Sequence, residues 1–84
     1  MNLLERITVI PDVCNGKPTI RGMRITVKTI VEFIAAGESV DNILKAYPYL
    51  ETDDIKAALE YAALAADSGV ASTPVIRSAH ELSG

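Results

Sequence analysis

Three segments of the chain repeat their apolar residues at the spacing of an amphipathic helix. Apolar side chains stand at offsets 0, 3, 4 and 7 from Val27, from Val40 and from Ile55. Residues at these offsets share one face of an α-helix, so each segment has a single stripe that can pack against a core. The pattern predicts helices over residues 27–36, 40–47 and 53–67.

Helix-boundary residues support these three helices. Thr26, Ser39 and Thr52 precede the apolar stripes, and their side-chain oxygens suit N-cap positions. Gly37 suits the left-handed position after the first helix. Pro48 ends the second helix because a helix interior does not accommodate its ring.

The N-terminal part of the chain has a different pattern, typical of short β structure. The β-branched run at residues 7–10 predicts a strand. Residues 19–26 predict a tight hairpin with Gly22 and Met23 at the centre of its turn. This register places Arg21 opposite Arg24.

The order of these elements predicts a mainly α fold with short N-terminal β strands. The short connection at residues 48–51 joins the last two helices as in a helix-turn-helix. We expect residues 1–69 to form one domain. Residues 70–84 have small residues, a proline and no apolar period, and are expected to be a flexible C-terminal tail.

Composition narrows the class of protein. Hydrophobic residues make up 49% of the chain and charged residues 23%, which is typical of a globular domain. No apolar stretch approaches the length of a membrane span, so a cytoplasmic location is expected. The lone Cys14 and the lone His80 form no catalytic or metal-binding motif, so we expect no enzyme activity, no metal and no cofactor.

The charge is unevenly distributed along the chain. Residues 1–37 hold five basic and three acidic side chains, whereas residues 38–84 hold three basic and eight acidic ones. A bound polyanion would therefore contact the N-terminal third. The candidate DNA-binding residues are Arg6, Lys17, Arg21, Arg24 and Lys28. An alternative remains open, in which Arg21 and Arg24 point into solvent or pair with Asp12 and Glu5.

The start of the third helix argues against simple DNA recognition. In a helix-turn-helix protein this end reads bases, yet here it carries Asp53 and Asp54. Both are interpreted as ordinary acidic residues of a first helical turn. Either DNA is contacted through the β segment, or the motif serves as an interaction scaffold.

Small residues surround much of the third helix, which suggests a homodimer. A helix that is apolar on most sides is buried on most sides, and a short chain has little core to cover it. The candidate dimer-interface residues are Ala58, Tyr61, Ala62 and Leu64. The alternative is that the alanines serve helix propensity alone.

The chain resembles domain-of-unknown-function family 433. The resemblance runs from about Ile7 to Ala63, with matches at residues 15–27, 35–40 and 47–62, and is most specific at residues 16–18 and 21–25. The matching positions in the specific segment are Gly16, Pro18, Ile20, Gly22, Arg24, Ile25 and Val27. This chain has Met23 where most members have threonine, so it lacks a hydroxyl beside the basic turn.

The resemblance implies a homeodomain-like helix-turn-helix fold, often dimeric, and an antitoxin that also represses its own operon. Its partners would be operator DNA and a PIN-like ribonuclease toxin with an acidic active site. Val75, Ile76 and Arg77 of the tail are the candidate toxin-binding residues, because an arginine suits a carboxylate-lined site. Two rivals remain: a protein-interaction module that binds no DNA, and a free-standing transcription regulator.

Overall fold

Three helices follow a two-stranded antiparallel sheet. The computed structural model describes residues 2–67. The strands are β1 (Ile7–Val9) and β2 (Pro18–Ile20), and the helices are α1 (Val27–Ala35), α2 (Val40–Ala46) and α3 (Thr52–Asp67). Short 3₁₀ turns at Leu3–Arg6 and Cys14–Gly16, which the sequence pattern did not predict, precede the two strands. The predicted mainly α, helix-turn-helix-like fold is confirmed, with helix boundaries within one residue.

The helix ends follow the capping residues closely. The side chains of Thr26 and Ser39 each accept a hydrogen bond from the backbone N–H three residues further on, as predicted for N-caps. Gly37 has a φ of +92° after α1, which an L residue adopts only with strain. The prediction for Thr52 was wrong by one position, because Thr52 is the first residue of α3 and not its N-cap.

The strand pairing differs from the predicted hairpin. β1 pairs with β2, with Ile7 opposite Ile20, a pairing that the sequence analysis did not predict. Of the predicted hairpin, a single bridge between Thr19 and Thr26 remains, in the predicted register. The chain then enters α1 directly, because Thr26 is also the N-cap of that helix.

The turn after β2 is centred one residue earlier than predicted. Arg21 and Gly22 have φ values of +46° and +73°, and Met23 N–H donates to the Ile20 carbonyl at 2.8 Å. The hydroxyl of Thr8 on β1 fixes this turn by accepting from Gly22 N–H at 2.9 Å. The expected cross-strand pair of Arg21 and Arg24 is therefore wrong, since Arg21 lies within the turn.

The core lies between the sheet, α1 and α3, with α2 and its following turn closing one end. Its buried apolar residues are Ile20, Ile25, Val27, Ile30, Ile43, Leu50, Ile55 and Ala58. The assignment of Ala58 to a dimer interface is wrong, because this side chain is fully buried within its own chain. Within residues 2–67, no helix has the length and apolarity that crossing a membrane requires.

Candidate functional site

The strand pairing brings two of the predicted basic residues side by side. Arg21 N–H donates to the Arg6 carbonyl at 2.7 Å, which continues the β1–β2 ladder by one residue. Both side chains then reach the first turn of α3. Arg21 thus lies opposite Arg6 on the neighbouring strand. The side chains of both arginines contact the same acidic residue of α3.

Asp54 is that acid, and its side chain is fully buried. Its Oδ1 accepts from Arg6 Nη1 and from Arg21 Nε, both at 3.0 Å. Its Oδ2 accepts from Arg21 Nη2 and from Glu51 N–H, both at 2.8 Å. Three of these bonds come from guanidinium groups, and the fourth comes from a backbone N–H at the start of α3. The buried negative charge is therefore well satisfied.

Two further contacts complete what we call the charge cluster, formed by Arg6, Arg21, Glu51 and Asp54. Arg6 Nη1 also donates to Glu51 Oε1 at 2.7 Å. Arg21 Nη2 also donates to the carbonyl of Tyr49, at 2.9 Å. Because Tyr49 and Glu51 lie in the connection between α2 and α3, the cluster ties the β segment to the helix-turn-helix turn.

The cluster changes the expected roles of three residues. Arg6 and Arg21 were predicted to bind DNA, but each is paired with Asp54. The anions are also not those of the alternative interpretation, Asp12 and Glu5. Asp53 and Asp54 both lie in the first turn of α3, as interpreted, and Asp53 is exposed. The burial of Asp54 and its pairing with two arginines were not predicted.

One signal in the sequence could have identified Asp54 as a buried residue. With Ala58 and Tyr61 it stands at offsets 0, 4 and 7, on the face of α3 that packs against the core. An acid is rarely buried at such a position unless a cation pairs with it. The cations come from another part of the chain, so the pairing itself depended on the strand register.

The pKa of the Asp54 carboxyl lies below its ordinary value of 3.8. Burial by itself raises this pKa, because it disfavours the charged form. Hydrogen bonds from Arg21, from Glu51 N–H and from Arg6 act in the opposite direction and together outweigh it. The folded protein therefore holds Asp54 ionised under conditions in which the unfolded chain begins to protonate it.

The lowered pKa predicts a loss of stability in acid. The contribution of Asp54 is present above the unfolded pKa of 3.8 and is lost as the pH falls through the lower folded pKa. Urea midpoints measured between about pH 2 and pH 6 should fall steeply at the acid end for the wild type and for Asp53→Asn. Asp54→Asn should show a shallower fall. Parallel curves for all three proteins would contradict the assignment.

Three of the predicted basic residues remain available on the surface. Lys17, Arg24 and Lys28 are exposed and have no ion pair within residues 2–67. Without Arg6 and Arg21, residues 1–37 hold three cations against three acids. The positive excess that favoured DNA binding at this end of the chain is thereby removed.

An apolar groove of about 420 Å³ lies between the start of β2, α1 and α3. Val27 and Val31 of α1 line one side, and Tyr61 and Ala62 of α3 line the other. The charged residues at its edges are Lys17, Lys28 and Glu32. Such a surface can accept apolar side chains and pair with charges beside them.

Apart from Ala58, which lies in the core, the predicted partner-binding residues fall in three places. Tyr61 and Ala62, from the predicted dimer interface, line the groove. Leu64 is 51% exposed and is not among the groove residues. The predicted toxin-binding residues Val75, Ile76 and Arg77 lie outside the described residues.

Comparison with known proteins gives one family match and one curated relative. The family model described as "Protein of unknown function (DUF433)" matches residues 7–62. "Uncharacterized protein y4eO" of Sinorhizobium fredii is 40% identical over 58 residues, which cover 69% of this chain and 26% of that protein. The chain thus spans about a quarter of the length of this relative. No solved structure matches the chain significantly.

Proposed function

The chain belongs to the DUF433 family, and on that premise we propose that it is the antitoxin-like component of a toxin–antitoxin pair, working chiefly through protein contacts. In this proposal it is a cytoplasmic, non-enzymatic protein that neutralises a PIN-like ribonuclease. The described domain acts as an interaction module, and the tail is the segment that engages the toxin.

The N-terminal end of α3 is occupied by two arginines of the same chain. This observation is the main support for a function that depends on protein contacts. A helix-turn-helix protein uses this end to read bases, but here Arg6 and Arg21 lie against it and are held by Asp54. Glu51 and Asp53 add exposed carboxylates beside them. Phosphates would meet acids at this end, and the arginines cannot turn to DNA without leaving a buried charge unpaired.

The matched region of the relative adds support for a module. In "Uncharacterized protein y4eO" the similar segment accounts for 26% of a longer protein. A segment that makes up about a quarter of a longer protein suits a domain that connects other parts. The apolar groove gives such a module a surface with which to contact protein.

Operator binding is the second candidate, favoured by the exposed Lys17, Arg24 and Lys28. These three cations would contact phosphates from the β segment and the start of α1, away from the start of α3. Fluorescence anisotropy with the DNA upstream of the gene, at several salt concentrations, tests this candidate. Binding without salt dependence would contradict phosphate contact, because counterion release makes such contacts salt-dependent.

Co-expression with the adjacent gene product tests the antitoxin proposal. We expect the chain to co-purify with that product and to restore growth of cells in which it is toxic. Deleting residues 70–84 should abolish rescue, and Arg77→Ala should weaken it, because the arginine is proposed to enter the acidic site. Arg24→Ala, which alters an exposed cation of the described domain, is the matched control and should rescue fully.

Two outcomes would contradict this proposal. An adjacent gene product that neither co-purifies with the full chain nor is neutralised by it would overturn the antitoxin role. Full rescue by the truncated chain would move the toxin contact from the tail to the described domain.

A further inference from the structure

The groove between α1 and α3 lies beside the C-terminal end of α3. Its residues on that helix are Tyr61, Ala62 and Ala65, which belong to the last two turns. Ala65 stands only two positions before Asp67, where α3 ends. The chain therefore continues into residues 68–84 from one end of the groove itself.

The sequence after α3 suits a reversal of the chain at this point. Gly69 stands two positions after the last helical residue, and glycine is the usual residue at the left-handed position C′ that follows a helix. Val70 then occupies position C″. In the helix-ending motif that uses these positions, the C″ side chain packs against residue C3 of the helix, which is Ala65 here. The reversal therefore directs Val70 to a residue that lines the groove.

We propose that segment 70–77 of the same chain occupies the groove. The segment supplies Val70, Val75 and Ile76 as apolar side chains, and Pro74 favours extended backbone before it. Six residues of extended chain span about 20 Å. Packed helices lie about 8–10 Å apart, so the segment is long enough to cross from α3 to the α1 side of the groove.

The charges at the groove edge have counterparts in the chain beyond α3. Lys17, Lys28 and Glu32 stand at the edge. Beyond α3 the chain has one basic side chain, Arg77, and one acidic side chain, Glu81. Arg77 can pair with the glutamate, and Glu81 with one of the two lysines, while the other lysine stays hydrated. A polyanion such as DNA would be repelled by Glu32 and would leave the apolar centre of the groove unfilled.

Attachment to the same chain favours this occupant over a separate molecule. Only residues 68 and 69 join α3 to the segment. A linker this short gives the segment an effective concentration on the order of millimolar at the groove. A contact that would be weak between separate molecules is therefore populated within one chain.

The docked segment includes the three residues proposed to bind the toxin. Val75, Ile76 and Arg77 cannot lie in the groove and in the toxin's acidic site at the same time. The toxin must therefore displace the segment, and its apparent affinity falls in proportion to the fraction of chains in which the segment is free. This consequence rests on the proposed function, whereas the docking itself does not.

Nuclear magnetic resonance of the full wild-type chain tests the docking. We expect nuclear Overhauser contacts from the methyl groups of Val75 and Ile76 to the ring of Tyr61 and to Val31. In a mixture of isotope-labelled and unlabelled chains, a filter that passes only contacts between different chains should remove these signals.

A charge placed in the segment tests the apolar contact without altering the described domain. Ile76→Asp should lower the docking equilibrium constant at least about tenfold, because it removes a large aliphatic side chain from the contact. The contacts of Val75 with the groove should then disappear. The matched control is Ala79→Asp, which introduces the same charge beyond the docked segment and should preserve them.

Three results would overturn the proposal. The first is a wild-type chain in which neither Val75 nor Ile76 contacts the groove. The second is contacts that survive the filter, which would place the segment of one chain in the groove of another. The third is an equal loss of the Val75 contacts in Ile76→Asp and Ala79→Asp. All three are measured without the adjacent gene product, so a failure of the docking is distinguishable from a failure of the antitoxin proposal.

Discussion

Asp54→Asn is expected to lower the free energy of unfolding by about 3 kcal/mol, the low end of the range for breaking a buried ion pair. The amide keeps the size of the carboxylate but loses its charge. In the wild type, both carboxylate oxygens accept hydrogen bonds from N–H groups. In the variant, one of these oxygens is replaced by an NH₂ group, which then faces other donors. The low end applies because the side chains of Arg6 and Arg21, at 24% and 37% exposed, can still reach water.

Urea unfolding followed by circular dichroism measures this effect. Asp53→Asn is the matched control, because it removes the same charge from the neighbouring residue. The Asp53 carboxylate is exposed and comes no closer to Arg6 Nη2 than 3.8 Å, which is longer than the contacts of Asp54. Its urea midpoint should stay close to that of the wild type. Equal midpoints for the two variants would contradict a structural role for the buried carboxylate.

Arg21→Ala is expected to lower the stability of the fold, whereas Arg24→Ala is expected to leave it unchanged. Arg21→Ala removes two hydrogen bonds to Asp54 and one to the Tyr49 carbonyl. Its urea midpoint should fall between those of Asp54→Asn and Asp53→Asn, because Arg6 still neutralises part of the buried charge. Arg24→Ala should leave the midpoint unchanged, since Arg24 is exposed and forms no ion pair in the described part of the chain.

The salt dependence of DNA binding is expected to respond to Arg24→Ala and not to Arg21→Ala. If the domain contacts an operator, Arg24→Ala should flatten the log–log salt dependence of binding by about 0.9, the value for one phosphate contact. Arg21→Ala, assayed at a temperature where it is folded, should keep the wild-type slope. A flattened slope with Arg21→Ala would mean that this arginine reaches DNA despite its bonds to Asp54.

Arg21→Lys distinguishes hydrogen-bond geometry from charge at this position. Lysine keeps the positive charge but has no planar fork that could bond both carboxylate oxygens at once. We expect it to restore little of the stability that Arg21→Ala loses. Full restoration would mean that charge alone holds the β segment to α3.

The local sequence was sufficient to predict the helices. The apolar stripes, together with Thr26 and Ser39 as N-caps, placed α1 and α2 within one residue of their observed ends. These features act over three or four residues, so their consequences can be read without knowledge of the fold. The same holds for the Thr19–Thr26 pairing, which spans a short turn.

The charge cluster could not be predicted in the same way, because its members come from distant parts of the chain. Arg6 and Asp54 are 48 residues apart, and Arg21 and Asp54 are 33 apart. The sequence determined which residues are basic, acidic or apolar, and which helices they occupy. The tertiary structure decided that β1 pairs with β2 and that both arginines therefore meet the same carboxylate. That pairing depends on packing the sheet against α3, and it turns two candidate DNA contacts into supports of the fold.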